Sequence, residues 1–227
     1  MTIYSLAYLI GDFVLLLILA TIFIFRSDLR KAIIFISTIG LFFGISGHYF
    51  FIYNYWVPNY LLPRPFFVED WLFGLAIAGI SASIYKYVTK NKFSRVKPKH
   101  FWQIPALFFG GVLIMLVFNV GLGINSIYVA SFYLLFCGLV VLISRRDLLS
   151  NAFWSGLLTI FATTIFYFVA LRFDGFFITS HWKLDQLSRI MVLGIPFEEY
   201  LFGFSWGFVA SCVYEYIFGL KIVNNKT

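Results

Sequence analysis

Two short stretches of the chain place adjacent carboxylic acids at the head of a long hydrophobic run. The first stretch contains Glu69 and Asp70, and the second contains Glu198 and Glu199. Successive residues of an α-helix point about 100° apart, so one acid of each pair can face a cavity while its neighbour contacts another helix. Carboxyl groups in a poorly hydrated site cannot all ionise, because desolvation and mutual repulsion keep a proton on at least one. Each pair therefore predicts a Brønsted acid that acts on an apolar compound.

The same pairs also have a structural interpretation. Acidic residues in the first turn complement the helix dipole, and a proline just upstream, here Pro65 and Pro196, is a common helix-start signal. In that case the acids are helix caps or a cation site. We favour a catalytic role, because the pair occurs twice at matching places and ionisable residues at membrane depth are costly.

The runs behind the acids are long enough to cross a bilayer. The chain has 227 residues, of which 61% are hydrophobic and only 12% charged, with a mean hydropathy of +0.90. This composition excludes a soluble domain, and the continuous apolar runs exclude a water-filled barrel. A spanning helix needs about 20 apolar residues. The runs that qualify predict an all-α integral membrane protein with seven transmembrane helices: 3–25, 32–54, 66–88, 101–123, 125–144, 152–173 and 197–219.

The loop charges predict the orientation of these helices. Of the 17 Lys and Arg residues, 13 follow the first, third, fifth and seventh spans, and six of them lie at 86–99. Basic loops face the cytoplasm. We therefore expect a multi-pass protein of the cell membrane with its N-terminus outside and its C-terminus in the cytoplasm, so that both acidic pairs lie near the outer face.

The two halves of the chain resemble each other beyond the acidic pairs. Matching motifs recur in the same order: Arg26-Ser27-Asp28-Leu29 with Arg145-Arg146-Asp147-Leu148, His48 eight residues before Trp56 with Asp174 eight before Trp182, and Tyr85-Lys86-Tyr87 with Tyr214-Glu215-Tyr216. This order predicts two parallel three-helix repeats joined by a linker helix. The expected units are repeat 1 at 1–90, a basic loop and linker helix at 91–123, and repeat 2 at 124–227. A pseudo-twofold axis then brings both acidic pairs to one cavity.

One motif resembles a known family. The segment Pro196-Phe197-Glu198-Glu199, preceded by Asp174 and Trp182, is similar to the Pro-x-Glu-Glu signature of the membrane-integral lycopene cyclases. The resemblance extends over nearly the whole chain, and the internal repeat corresponds to the fused form of a two-subunit enzyme. The N-terminal half departs from the family pattern: His48 stands where an aspartate is common, and Glu69-Asp70 replaces Glu-Glu.

The resemblance implies a carotenoid cyclase, an intramolecular lyase or isomerase. The terminal double bond of a linear carotenoid such as lycopene is protonated, the next double bond captures the cation, and proton loss leaves a β-ring. The reaction needs no redox cofactor and no metal, and the sequence contains neither a Gly-rich dinucleotide fingerprint nor a metal-ligand cluster. The residues expected to be catalytic are Glu198, Glu199, Glu69, Asp70 and Asp174. Those expected to bind substrate are His48, Trp56, Trp71, Trp182, Tyr200 and Trp206.

Other interpretations stay open at this point. A small transporter with parallel repeats fits the helix count, but five of the seven spans contain no proline hinge. A retinal-binding protein needs a lysine in the middle of the last span, whereas Lys221 and Lys226 lie at or beyond its end. A related carotenoid enzyme without cyclase activity remains a further alternative. The expected partners are the carotenoid and membrane lipid, with no nucleic acid. Homo-oligomerisation, ring type and the number of cyclised ends are left open.

Overall fold

Long apolar helices make up most of the protein. The computed structural model describes residues 6–58, 67–95 and 103–223. Its helices are α1 (Ala7–Phe25), α2 (Arg30–Asn54), α3 (Val68–Thr89), α4 (Gln103–Ile114), α5 (Ser126–Ser144), α6 (Leu149–Phe173), α7 (Phe177–His181) and α8 (Phe197–Phe218). Its strands are β1 (Lys92–Arg95), β2 (Met191–Val192), β3 (Ile195–Pro196) and β4 (Leu220–Val223). Among these residues, six helices are long and apolar enough to cross a membrane: α1, α2, α3, α5, α6 and α8. The prediction of a helical integral membrane protein is confirmed.

The predicted fourth span, 101–123, is where the structure and the sequence pattern differ. Helix α4 continues without a break as a π-helix over Met115–Gly121, a winding that the hydrophobic pattern did not predict. The tight turn that follows matches the sequence: Gly123 adopts a left-handed φ of 70°, and the Asn125 side chain caps α5 by accepting the N–H of Ile127. Pro65 and the end of the basic loop, 96–99, lie outside the described residues.

Glycines bring α3 and α8 close to their neighbours. A Cβ added at Gly40 of α2 would lie only 2.2 Å from the carbonyl oxygen of Gly74 in α3. A Cβ added at Gly207 of α8 would lie 2.5 Å from the carbonyl oxygen of Ser155 in α6. Small residues allow this backbone approach in membrane proteins, where close packing replaces the hydrophobic effect. These contacts fix the rotation of α3 and α8, and with it the direction in which their acids point.

Helices α3 and α8 run side by side in the same direction. Their C-terminal ends lie together, because Lys86 pairs with Glu215 and because β1 and β4, which follow the two helices, pair antiparallel with Lys92 opposite Val223. Their first turns line one cavity. The acids at the heads of the two helices therefore lie at the same end of the molecule.

Equivalent arginine clamps hold the other end of each half. Arg26 binds the carboxylate of Asp28 through two nitrogens, at 2.9 and 2.8 Å, and donates to the carbonyl of Asn91 at 2.6 Å, just after α3. Arg145 binds Asp147 in the same way, with both distances 2.8 Å, and donates at 2.6 Å to the carbonyl of Leu220, just after α8. The matching sequence motifs thus make matching contacts.

Removing one charge of the Lys86–Glu215 pair should destabilise the protein strongly. The two side chains are 1% and 0% exposed, and the Lys86 ammonium also donates to the carbonyl of Ser211. Lys86→Met leaves the Glu215 carboxylate buried without its cation, which costs about 3–5 kcal/mol. We expect a markedly lower melting temperature in detergent. The double variant Lys86→Met/Glu215→Met should recover most of the loss. A single variant as stable as the wild type would show that the pair contributes nothing.

Candidate active site

An aromatic cavity lies among α1, α2, α3, α6 and α8. Its walls include the rings of Tyr8, Phe43, Trp56, Phe166, Trp182 and Trp206. Two acids reach it: Asp70 from the first turn of α3 and Glu199 from the first turn of α8. Among its described lining residues no Lys or Arg occurs, and His48 is the only basic group. A positive charge that develops here meets carboxylates and aromatic faces rather than a fixed cation.

Two neighbours fix the role of each oxygen of Glu199. The indole Nε1–H of Trp182 donates to Oε1 at 2.6 Å, and the hydroxyl of Tyr167 donates to Oε2. Because an indole N–H can only donate, Oε1 remains an acceptor in either protonation state. A tyrosine hydroxyl can donate or accept, so Oε2 is the oxygen that can carry a proton. Both neighbours are buried with Glu199.

A second hydrogen-bonded group surrounds Asp70. The hydroxyl of Tyr8 donates to Oδ1 at 2.8 Å, and Nδ1 of His48 lies 2.8 Å from Oδ2. The His48 ring stacks on Phe67 with its centroid 3.4 Å away. An imidazole hydrogen-bonded to a carboxylate can relay a proton to or from it. The cavity thus has one hydrogen-bonded carboxyl group on α3 and another on α8.

Aromatic rings connect the two acids. Tyr8, the partner of Asp70, packs edge to face on Trp56 with 5.0 Å between centroids, and Trp56 lies 5.1 Å from Trp182, the partner of Glu199. The backbones of the two tryptophans also form a β-bridge. Aromatic faces attract cations by about 0.5–2 kcal/mol each. This wall can stabilise a carbocation between the acids.

The cavity lies partly within a segment that matches a known family. A family model described as lycopene cyclase matches residues 125–217, which span α5 to α8 and contain Trp182 and Glu199. Over this segment the chain is similar to the lycopene cyclase family. None of the curated proteins or solved structures compared matches the chain. The family resemblance predicted from the sequence is confirmed. The family implies a carotenoid substrate and a membrane environment.

The structure gathers six of the predicted site residues around the cavity. They are His48, Trp56, Asp70, Trp182, Glu199 and Trp206. The N-terminal half, which the family model does not reach, supplies three of them. The site is therefore built jointly by both halves of the chain.

The other predicted residues lie outside the described lining. Glu198 is buried, but its Oε1 accepts the hydroxyl of Tyr128 and, at 2.7 Å, the N–H of Ser188, so it holds the loop before α8. Asp174 ends α6 and accepts the N–H of Phe176 at 2.9 Å in the turn to α7. Glu198 and Asp174 thus accept backbone N–H groups in the loop before α8 and in the α6–α7 turn.

The remaining three predicted residues belong to α3 and α8. Glu69 is buried beside Asp70 in the first turn of α3, and Trp71 follows at a half-buried position. Tyr200 donates its hydroxyl to the carbonyl of Val192 at 2.9 Å, which ties α8 to the β2–β3 hairpin. None of the three is among the residues that line the cavity.

Sequence reasoning missed the tyrosines that bind the acids. Tyr8 and Tyr167 come from α1 and α6, far in sequence from Asp70 and Glu199. With 14 tyrosines in the chain, no spacing distinguishes these two. Asp12, one turn after Tyr8 on α1, is a further fully buried acid.

Proposed function

We propose that the protein is a membrane lycopene β-cyclase that starts the reaction by proton donation from Glu199. The observation that best supports this is the position of Glu199 in an aromatic cavity. The indole N–H of Trp182 donates to one of its carboxyl oxygens, and the other oxygen can carry a proton. A neutral carboxylic acid in such surroundings can protonate a carbon–carbon double bond. General acid–base groups contribute about 10²–10⁴-fold to a rate.

The proposed reaction moves one proton in and one proton out. Glu199 adds a proton to the terminal double bond of the linear carotenoid, which leaves a tertiary carbocation. The next double bond in reach attacks this cation, closes the six-membered ring and moves the positive charge into it. Loss of a ring proton to Asp70, supported by His48, forms the β-ring double bond. Substrate and product are isomers, so neither an oxidant nor a reductant is consumed.

The aromatic wall has a defined task in this scheme. Trp56 and Trp182 lie between the donor and the acceptor, where their faces stabilise the migrating charge and exclude water that would capture it. Glu198 and Asp174 support the site by holding the loop before α8 and the α6–α7 turn.

We also propose that the fold is a fused pair of parallel repeats, with α1–α3 equivalent to α5, α6 and α8 and the 91–123 segment as linker. The clamps of Arg26 and Arg145 and the parallel course of α3 and α8 support this arrangement. The repeats then correspond to 1–90 and 124–227. The charge distribution supports an N-terminus outside and a C-terminus in the cytoplasm. A transporter is not favoured by the family match.

Cyclisation by the purified protein should need no added cofactor. We expect the full chain, purified in detergent and returned to lipid vesicles, to convert lycopene to a β-ringed product in the presence of a metal chelator and without flavin or nicotinamide. Pigment chromatography measures the conversion, and heat-inactivated protein is the control. Strict dependence on reduced flavin would contradict the acid-initiated mechanism, and absence of any ringed product would contradict the function.

A further inference from the structure

Phe43 and Trp206 stand where the acid cavity meets two further grooves. Both rings line the cavity that holds Asp70 and Glu199, and both also line the two apolar grooves beyond it. The rings pack edge to face with 5.6 Å between their centroids. Because the three spaces share these walls, they adjoin one another and mark out a path from the acids toward the region where α2, α4, α5 and α8 meet.

The walls of the two grooves are almost entirely apolar. The nearer groove is lined by residues such as Gly47, Phe50, Met115 and Ala130, and the farther groove by residues such as Ile39, Leu107, Leu134 and Val213. Among the described residues, no Asp, Glu, Lys, Arg or His lines either groove.

The polar hydroxyls in these walls already have backbone partners. The hydroxyl of Tyr133, which lines both grooves, donates to the carbonyl of Leu107, and that of Ser46 donates to the carbonyl of Phe42 at 3.0 Å. The grooves therefore suit an uncharged apolar occupant.

We propose that this path binds the conjugated chain of the substrate while the terminal double bonds lie at Glu199. We call the path the polyene groove; it is lined by Phe43, Trp206 and the residues of the two grooves. The inference rests on the proposed function. Only the end of a linear carotenoid has to reach the acids, and the rest needs an apolar space that continues from the acid cavity.

Filling the groove far from the acids should select against long substrates. Ile39 lines the farther groove and does not line the acid cavity. We expect Ile39→Trp to lower conversion of full-length lycopene about tenfold, the equivalent of about 1.4 kcal/mol of binding. A shortened linear polyene with the same terminal double bonds, too short to reach position 39, should be converted as by the wild type. Ile34→Trp is the matched control, on the same helix but exposed outside both grooves.

A second readout is independent of cyclisation. The full-length proteins are purified in detergent from a lycopene-accumulating bacterium, and the linear or ringed polyene retained per protein is measured by absorbance. Loss of retained pigment in Ile39→Trp but not in Ile34→Trp supports the groove even if no ring forms. The groove proposal would be overturned if Ile39→Trp lowered the conversion of both substrates equally. It would also be overturned if Ile39→Trp retained as much pigment as the wild type but lost a co-purified phospholipid. Cyclisation by the wild type together with either of those results would leave the proposed function standing.

Discussion

Replacement of Glu199 by Gln is expected to lower cyclisation by about 10²–10⁴-fold, the usual contribution of a general acid. Gln keeps the shape of the side chain, and its amide oxygen can still accept the indole N–H of Trp182. It has no acidic proton to give to a double bond. The measurement is the rate of ring formation from lycopene by the purified variant, with folding checked by melting temperature in detergent.

Glu198→Gln provides the matched control, because it changes the same group one residue away. Glu198 is buried but does not line the cavity, and it binds Tyr128 and the N–H of Ser188. Gln can accept one of these bonds, so we expect a much smaller loss of activity, accompanied by some loss of stability. If Glu199→Gln retained near-normal rates, or if Glu198→Gln were the more damaging change, Glu199 would not be the proton donor.

Asp70→Asn should produce the second largest effect, and it should alter the product as well as the rate. Asn can still accept from Tyr8 through its oxygen and can face His48 with its amide nitrogen, but it cannot take up a proton. We expect a loss of about 10²-fold or more. With the base removed, the ring cation loses its proton at another carbon, so ring types other than β should appear in the chromatogram.

Glu69, the acid next to Asp70, provides the matched control. Glu69 is buried in the same turn of α3 but is not among the lining residues. Glu69→Gln should therefore leave the ring type unchanged. Identical product mixtures and similar rates in Asp70→Asn and the wild type would show that Asp70 does not remove the ring proton.

Hydrophobic runs and charge patterns were sufficient to predict the helical membrane class and the places of the acids. Six spans and both acidic pairs at helix heads follow directly from continuous apolar stretches. The fourth predicted span is helical but partly π-wound, because hydropathy does not distinguish α-helical from π-helical winding. The π-helix over Met115–Gly121 therefore has no counterpart in the sequence pattern.

The sequence could not decide which acid of each pair faces the cavity. Adjacent residues on a helix differ by about 100°, and the rotation of the helix selects between them. In α3 and α8 that rotation depends on backbone contacts such as Gly40 with Gly74 and Gly207 with Ser155, which join helices distant in sequence. The tyrosine partners of the acids are equally long-range, since Tyr8 lies 62 residues from Asp70 and Tyr167 lies 32 from Glu199.

The spacing that relates His48 to Asp174 shows a different limit of sequence reasoning. Both residues lie eight positions before a tryptophan that lines the cavity. His48 points to Asp70, whereas Asp174 accepts a backbone N–H in the turn between α6 and α7. The repeat predicts the position of a residue in the fold, but each half has its own hydrogen bonds there.

Solvent deuterium incorporation tests the central claim most directly. The full chain, equilibrated in deuterium oxide, is given lycopene, and the ringed product is examined by mass spectrometry. Protonation by an acid that exchanges with solvent predicts one deuterium retained for each β-ring formed, at the carbon that receives the proton. A β-ringed product without solvent deuterium would contradict proton-initiated cyclisation.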